Sequence, residues 1–293
     1  MKLTERFVER DFVITGEVGP SKGASGDSAL ESASKMQPVV DAVNVTDSQS
    51  AVMRLGPIAV AHLLKDRGIE PIFQLTCRDR NRIALQSDLL SAAALGIENV
   101  LCITGDHMIL GDHPDAKKVF DLDSVQLLAV ARGLTEGRDL NGHNVDPRPG
   151  FCLGAVVNPG SEDLEMQLLK MRKKIDAGAA FFQTQAVFDR DLFARFMDTA
   201  TRFDVPIMAG VIPLKSAAMA EFMNEHIAGI HVPQPMIDRL RATPKQDRKK
   251  LSIELAVELV DTLKHDCHGI HFMPLGWDDV VVPVVEATGL GGA

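Results

Sequence analysis

Eight short runs of apolar and β-branched residues recur along the chain, at 12–18 (FVITGEV), 40–46 (VDAVNVT), 71–77 (PIFQLTC), 98–104 (ENVLCIT), 151–157 (FCLGAVV), 180–188 (AFFQTQAVF), 205–212 (VPIMAGVI) and 269–275 (GIHFMPL). Each has the length and composition of a strand. The stretches after them carry apolar residues at helical spacing: 28–39, 50–67, 79–95, 124–134, 162–177, 190–202, 216–225 and 249–265. In 82–95, for example, Ile83, Leu85, Leu89, Leu90 and Ala93 fall on one face. Gly68 and Gly96 stand where helices stop, and Asp79 is placed to cap a helix beginning at Arg80. The pattern predicts a strand followed by a helix, eight times over.

Continuous apolar strands alternating with amphipathic helices imply a parallel sheet covered by helices, because a parallel connection needs a crossover. An open doubly wound sheet is the competing arrangement. The first strand is followed by GPSKGAS rather than a G-x-G-x-x-G fingerprint, and eight units favour closure. The expected fold is therefore α/β, a (β/α)8 TIM barrel, with residues 1–293 as one domain. The GLGGA tail is expected to fray.

Composition narrows the partners. With 45% apolar and 24% charged residues the chain reads as a soluble globular protein with a sizeable core. A net charge of −9 argues against a general nucleic-acid or anionic-membrane surface. The N-terminal stretch lacks a secretory apolar run, and no segment approaches a membrane span, so a cytoplasmic location is expected. Cys77, Cys102, Cys152 and Cys267 form no Cys-x-x-Cys pair, which leaves reduced thiols rather than a zinc ribbon or an iron–sulfur cluster.

In a barrel of this kind the active site lies at the C-terminal ends of the strands. Glu17 ends the first, Thr46 and Asp47 the second, Gln74 through Asp79 the third, Thr104, Gly105 and Asp106 the fourth and Asn158 the fifth, while the sixth carries Gln183 and Gln185. Glu17 and Asp106 thus project toward one mouth. Each also has a structural reading: Glu17 as half of a barrel ion pair, Asp106 as a turn cap, the glutamines as buried amides. Arg78, Arg80 and Arg82 surround a helix start, where they serve either a phosphate or ion pairs. The run HDCHGIH at 265–271 is rich in metal-ligating types, but its spacing fits no common zinc pattern and it leads into the bottom of the eighth strand. His107 and His113 with Asp106 and Asp112 are a second loop mixture of the same kind; no metal is expected at either.

The segments GEVGPSK, NVTDS, QLTCRDRNR, LCITGDH, VVNPG, KKIDAGAAFFQTQAVFD and GVIPL, in that order, resemble the methylenetetrahydrofolate reductase family over almost the whole chain. The resemblance implies a flavin-holding barrel, with FAD as cofactor and FMN as the alternative. It also implies reduction of 5,10-methylenetetrahydrofolate to 5-methyltetrahydrofolate, with electrons from NAD(P)H or from a partner redox subunit. In that reading Glu17 is the catalytic acid, Asp106 sits beside flavin and pterin, and Gln185 contacts the folate. Thr46, Gln74, Thr104, Gly105, Asp106, Asn158 and Lys174 line the flavin. The resemblance departs at Gln74 (commonly His), at Thr104 (Arg in well-known bacterial members), at Met219 (Gln there) and at MPLGW after the eighth strand. The GEVGPSKG loop looks more like that of members working with partner proteins, so a homo- or hetero-oligomer is expected. The alternatives are a flavin-free pterin-binding methyltransferase barrel and a non-catalytic barrel subunit of a larger complex.

Overall fold

A computed structural model describes residues 1–290. Its eight strands are β1 (Val13–Val18), β2 (Ala42–Val45), β3 (Pro71–Thr76), β4 (Asn99–Ile103), β5 (Cys152–Val157), β6 (Phe181–Ala186), β7 (Ile207–Val211) and β8 (Gly269–Phe272). All neighbours pair in parallel, and β8 closes on β1 through Val13 opposite Gly269. The crossovers are α2 (Asp27–Met36), α3 (Pro57–Asp66), α4 (Arg82–Ala94), α5 (Ser124–Thr135), α6 (Leu164–Asp176), α7 (Arg190–Ala200), α8 (Ala217–His226), α9 (Gln234–Ala242) and α10 (Arg248–Leu263). Two further helices flank the barrel, α1 (Leu3–Glu9) before β1 and α11 (Val281–Ala287) after β8. The expected (β/α)8 barrel is the fold observed.

Alternation along each strand divides the apolar residues between two cores. Outward residues such as Ile14, Val43, Phe73, Val100 and Phe182 pack under the helices. Inward residues at the strand starts, Val13, Ala42, Ile72, Leu101, Cys152, Phe181 and Met208, fill the barrel bottom together with Leu3 of α1. Helix α1 is anchored there by the Leu3 amide, which donates to Asn99 Oδ1 at 2.8 Å. One inward position had to be glycine: a Cβ on Gly154 would lie 2.2 Å from the Phe181 ring. Two residues further along five of the strands the inward set turns polar, with Thr15, Asn44, Gln74, Gln183 and His271, while β4, β5 and β7 carry Ile103, Gly154 and Gly210 there. The change from apolar to polar within one parity makes the upper barrel a site rather than a core.

Several local expectations needed correction. The stretch 50–67 is helical only from Pro57, whose ring suits a first helical turn, and Ser48, Ser50 and Ala51 take positive φ in a tight turn before it. Asp79 does not cap α4; Asn81 does, accepting from the amides of Ile83 and Ala84, because Asp79 is held by Arg78. On α4 the buried face is Leu85, Leu89 and Ala92, with Ile83 and Leu90 exposed, so the predicted stripe was rotated. Helices α1, α9 and α11 were not expected. Gly68 and Gly96 do end α3 and α4, at φ +74° and +75°. In the expected frayed tail Gly289 and Leu290 still donate to Glu286 and Val285, and 291–293 lie outside the described residues.

Candidate active site

A cavity of about 580 Å³ opens at the C-terminal mouth. Glu17, Gln74, Thr104, Gly105, Asp106, Asn158, Lys174, Gln183 and Gln185 all line it, so nearly every residue singled out in the sequence is brought together. Among the residues expected to line the flavin, Thr46 is the exception. It is buried at 2% exposure outside the lining, and its Oγ1 has no hydrogen-bond partner. Apolar walls come from Leu101, Ile103, Val125, Val156, Val157 and Met273.

Glu17 stands at the tip of β1 with its side chain only 10% exposed. Its Oε2 accepts from Gln74 Nε2 at 3.0 Å and lies 3.6 Å from His271 Nε2. No lysine or arginine pairs with it among the described residues, and its one cation-capable neighbour is His271, which forms an ion pair only when protonated. Asp106 is exposed across the mouth, and its Oδ2 accepts the Ser50 amide at 3.1 Å. The positive φ of Gly105 (+92°) turns the chain beside it, and a Cβ there would press Thr76 Cβ at 3.0 Å.

Several polar atoms of the expected lining are occupied locally. Thr104 Oγ1 accepts the Ser124 amide at the start of α5. Asn158 bonds Ala228 O and the Gly160 amide, pinning the loop after α8 against β5. Gln185 and Gln183 flank a β-bulge, where β6 takes three steps (Gln183 to Ala186) against two of β7 (Met208 to Gly210), and Thr184 Oγ1 accepts the Gly210 amide. The bulge lets Gln183, Thr184 and Gln185 all reach the cavity.

The three arginines resolve as ion pairs: Arg78 with Asp79, Arg80 with Asp47 and Asp88, and Arg82 with Asp121. Arg78 still lines the cavity, buried, with Nη1 on Ser48 O. Asp47 is the buried hub between β2 and β3, accepting from the Thr76 amide, Thr76 Oγ1 and Arg80. Across the mouth loops, Asp112 bonds Lys22, the Met53 amide and His113 Nδ1. In the 265–271 run, Cys267 Sγ donates to backbone carbonyls and His268 Nδ1 accepts the Ile207 amide. His271 was grouped with that run at the bottom face; it rises instead on β8 into the cavity. Its parity with Met273, also in the lining, was the available signal. Burial pushes the Cys77 thiol up to about 12 and Cys267 to about 11, and raises Cys102 and Cys152, so none is an active nucleophile.

Half-buried Lys174 donates from Nζ to Val156 O at 2.7 Å. Burial, aided by neighbouring Lys170, pushes its ammonium down to about 8 from the usual 10.5. Since the unfolded chain then binds more protons between those values, the cost of the folded ammonium is complete below about pH 8 and fades as pH rises toward 10.5. Denaturant unfolding of Lys174→Met is expected to show its stability relative to the parent falling by about 2 kcal/mol from pH 7 to pH 10, after allowance for partial solvation. A pH-independent difference would mean that Lys174 is well solvated.

The family model for methylenetetrahydrofolate reductase matches residues 2–289. The chain belongs to the methylenetetrahydrofolate reductase family. A family relative from Schizosaccharomyces pombe, methylenetetrahydrofolate reductase 2, is 24% identical over 244 residues, covering 76% of this chain and 36% of its own. The 5,10-methylenetetrahydrofolate reductase of Pectobacterium carotovorum is 24% identical over 270 residues, covering 90% and 84%. This family member thus spans about a third of the fungal relative and most of the bacterial one. Among solved structures, an uncharacterized Clostridium thermocellum protein that binds two copies of 5-methyl-5,6,7,8-tetrahydrofolic acid superposes with a TM-score of 0.64 at 16% identity, covering 99% and 98% of the two chains. At that identity it shows a shared fold. Among the described residues of this family member, no helix is long and apolar enough to cross a membrane.

Proposed function

We propose that this chain reduces 5,10-methylenetetrahydrofolate to 5-methyltetrahydrofolate with a flavin in the barrel mouth, the domain 1–293 carrying the whole site. The observation that carries the reading is Glu17: a carboxyl nearly closed off from water, without a cationic lysine or arginine partner, at the floor of a cavity of ligand size. The residues present fit a flavin. The walls are apolar, buried Thr46 Oγ1 lacks a partner, and Lys174 is a cation whose one hydrogen bond goes to a backbone carbonyl. Lys174 suits the electron-rich pyrimidine end of a reduced ring, Gln74, Thr104, Gly105, Asp106 and Asn158 complete the flavin-facing set, and Thr46 stands behind the lining with its hydroxyl unpaired.

When bound, the flavin supplies a hydride for the one-carbon unit. Glu17 protonates the nitrogen that leaves as the five-membered ring opens, exposing an iminium carbon. Asp106, anionic at the mouth, stabilises the resulting cation. Gln185 holds the pterin edge through its amide, and the apolar walls exclude water from the reactive iminium. FAD is the cofactor we favour over FMN, and the electrons reach it from NAD(P)H or a partner redox subunit.

The test is the absorbance spectrum of purified protein, bleached with dithionite and then mixed with methylenetetrahydrofolate. A flavin spectrum that returns on adding the folate is the expected result. A colourless protein that cannot be reconstituted with FAD or FMN would instead support the flavin-free methyltransferase.

A further inference from the structure

Beneath Glu17, four side chains from four strands form a closed polar layer. Asn44 Nδ2 donates to Gln183 Oε1 at 2.7 Å, and Gln183 Nε2 returns a bond to Asn44 Oδ1 at 3.0 Å. The other Gln183 proton points at Thr15 Oγ1, 3.2 Å away, and at His271 Nδ1, 3.4 Å away. Thr15 Oγ1 is 2.9 Å from the same Nδ1. All four residues are buried at 4% exposure or less.

Counting protons favours one tautomer. Gln183 Nε2 is donor only, so Thr15 Oγ1 accepts from it and can turn its own proton to His271. Nδ1 is also 3.4 Å from that donor-only nitrogen, which favours Nδ1 as the acceptor and the ring proton of neutral His271 on Nε2. That nitrogen lies 3.6 Å from Glu17 Oε2, just beyond hydrogen-bond distance. Gln74 donates to the same oxygen. The Gln74 bond marks Oε2 as an acceptor and leaves Oε1 to carry the proton.

Resting on the reading of Glu17 as the acid, we propose that His271 is a positioning residue, held as the Nε2–H tautomer by Thr15 and Gln183, that orients Glu17 so that Oε1 delivers the proton. Histidine suits the place because its two nitrogens face opposite ways: one receives the order of the barrel interior, the other passes it to the carboxyl. The charged and titratable groups around it are few. Its register partners on β1 and β7 are Thr15 and Gly210, β6 contributes Gln183, and Glu17 is the ionisable group recorded against it.

Two measurements decide the matter on the flavin-loaded protein. In wild type with ¹⁵N-labelled histidine rings, assigned by loss of a signal in His271→Gln, the resonances should report a proton on Nε2; a proton on Nδ1 overturns the proposal. In single turnovers of dithionite-reduced holoenzyme, His271→Phe should slow folate reduction by about 10- to 100-fold, as removal of one aligning partner from a general acid does. Folate affinity should move less than twofold. Because an Nε2–H donor favours the carboxylate, its loss should also move the alkaline limb of the rate profile to higher pH. His271→Gln, whose amide nitrogen stands near the Nε2 position, should restore the rate to within about threefold and return the limb. A His271→Phe enzyme with unchanged rate and pH profile sinks the role of His271 while Glu17→Gln remains inactive; an active Glu17→Gln enzyme sinks the underlying reading instead.

Discussion

Glu17→Gln is expected to lower the single-turnover rate of folate reduction by about 10²–10⁴-fold, the range supplied by a positioned general acid. The amide keeps the volume of the carboxyl and can still accept from Gln74, whose Nε2 sits 3.0 Å from the present oxygen. Flavin binding, read from the visible spectrum, and folate affinity should therefore change only a few-fold. What the variant lacks is a proton acidic enough to leave. Oxidation of the reduced flavin by methylenetetrahydrofolate in a stopped-flow instrument measures the loss directly, and a rate within tenfold of wild type would remove Glu17 from the acid's role. Asp106 cannot substitute for it, since that carboxylate is exposed at the mouth and does not share the closed floor of the cavity.

Asp47→Ala is expected to cost about 3–5 kcal/mol of folding stability, the loss seen when one member of a buried ion pair is removed. Arg80 would be left without its closest partner, at 2.6 Å, and would retain Asp88 at 2.7 Å as its one carboxylate beside the longer bonds from Nη1 to Thr76 O and Oγ1. Burial works to lower the pKa of Arg80, and Asp47 followed by Asp88 outweighs it; the guanidinium therefore stays charged and bears the loss. The Thr76 amide would also lose its acceptor at the end of β3. Equilibrium denaturant unfolding is the measurement, with Asp47→Asn as a milder step that keeps one acceptor. A cost below about 1 kcal/mol would mean that water replaces the carboxylate and that the β2–β3 junction is looser than its hydrogen bonds suggest.

The barrel was legible in the sequence because its signals are local. Strand runs of apolar residues and helical spacing repeat eight times, and glycines such as Gly68 and Gly96 punctuate them through backbone sterics alone. The same locality explains the errors. The helical spacing of 50–67 runs past the turn that ends at Pro57, and Asp79, which has a capping side chain, is claimed by Arg78 while Asn81 caps α4. Helix α1 reads as an unremarkable polar start until Leu3 is seen closing the barrel bottom.

The site divides along the same line. Residue types at the strand ends determined by themselves that Glu17 and Asp106 belong to one mouth, since strand direction suffices for that, given a barrel. Gln185 and Lys174 came only with the motifs that resemble the family: Lys174 lies on α6, and a bulge in β6 brings Gln185 to the cavity. Only the tertiary structure decided what each polar atom does there. Asn158 spends its side-chain amide on the loop after α8, the Thr104 hydroxyl accepts the Ser124 amide at the start of α5, and Arg80 and Arg82 reach Asp47 and Asp121, 33 and 39 positions away in the chain. The polar layer under Glu17 joins Thr15, Asn44, Gln183 and His271 across separations of up to 256 residues. Hydrogen bonds act over about 3 Å of space and carry no trace of sequence distance, so a chain read linearly shows the donors and acceptors but not their pairing.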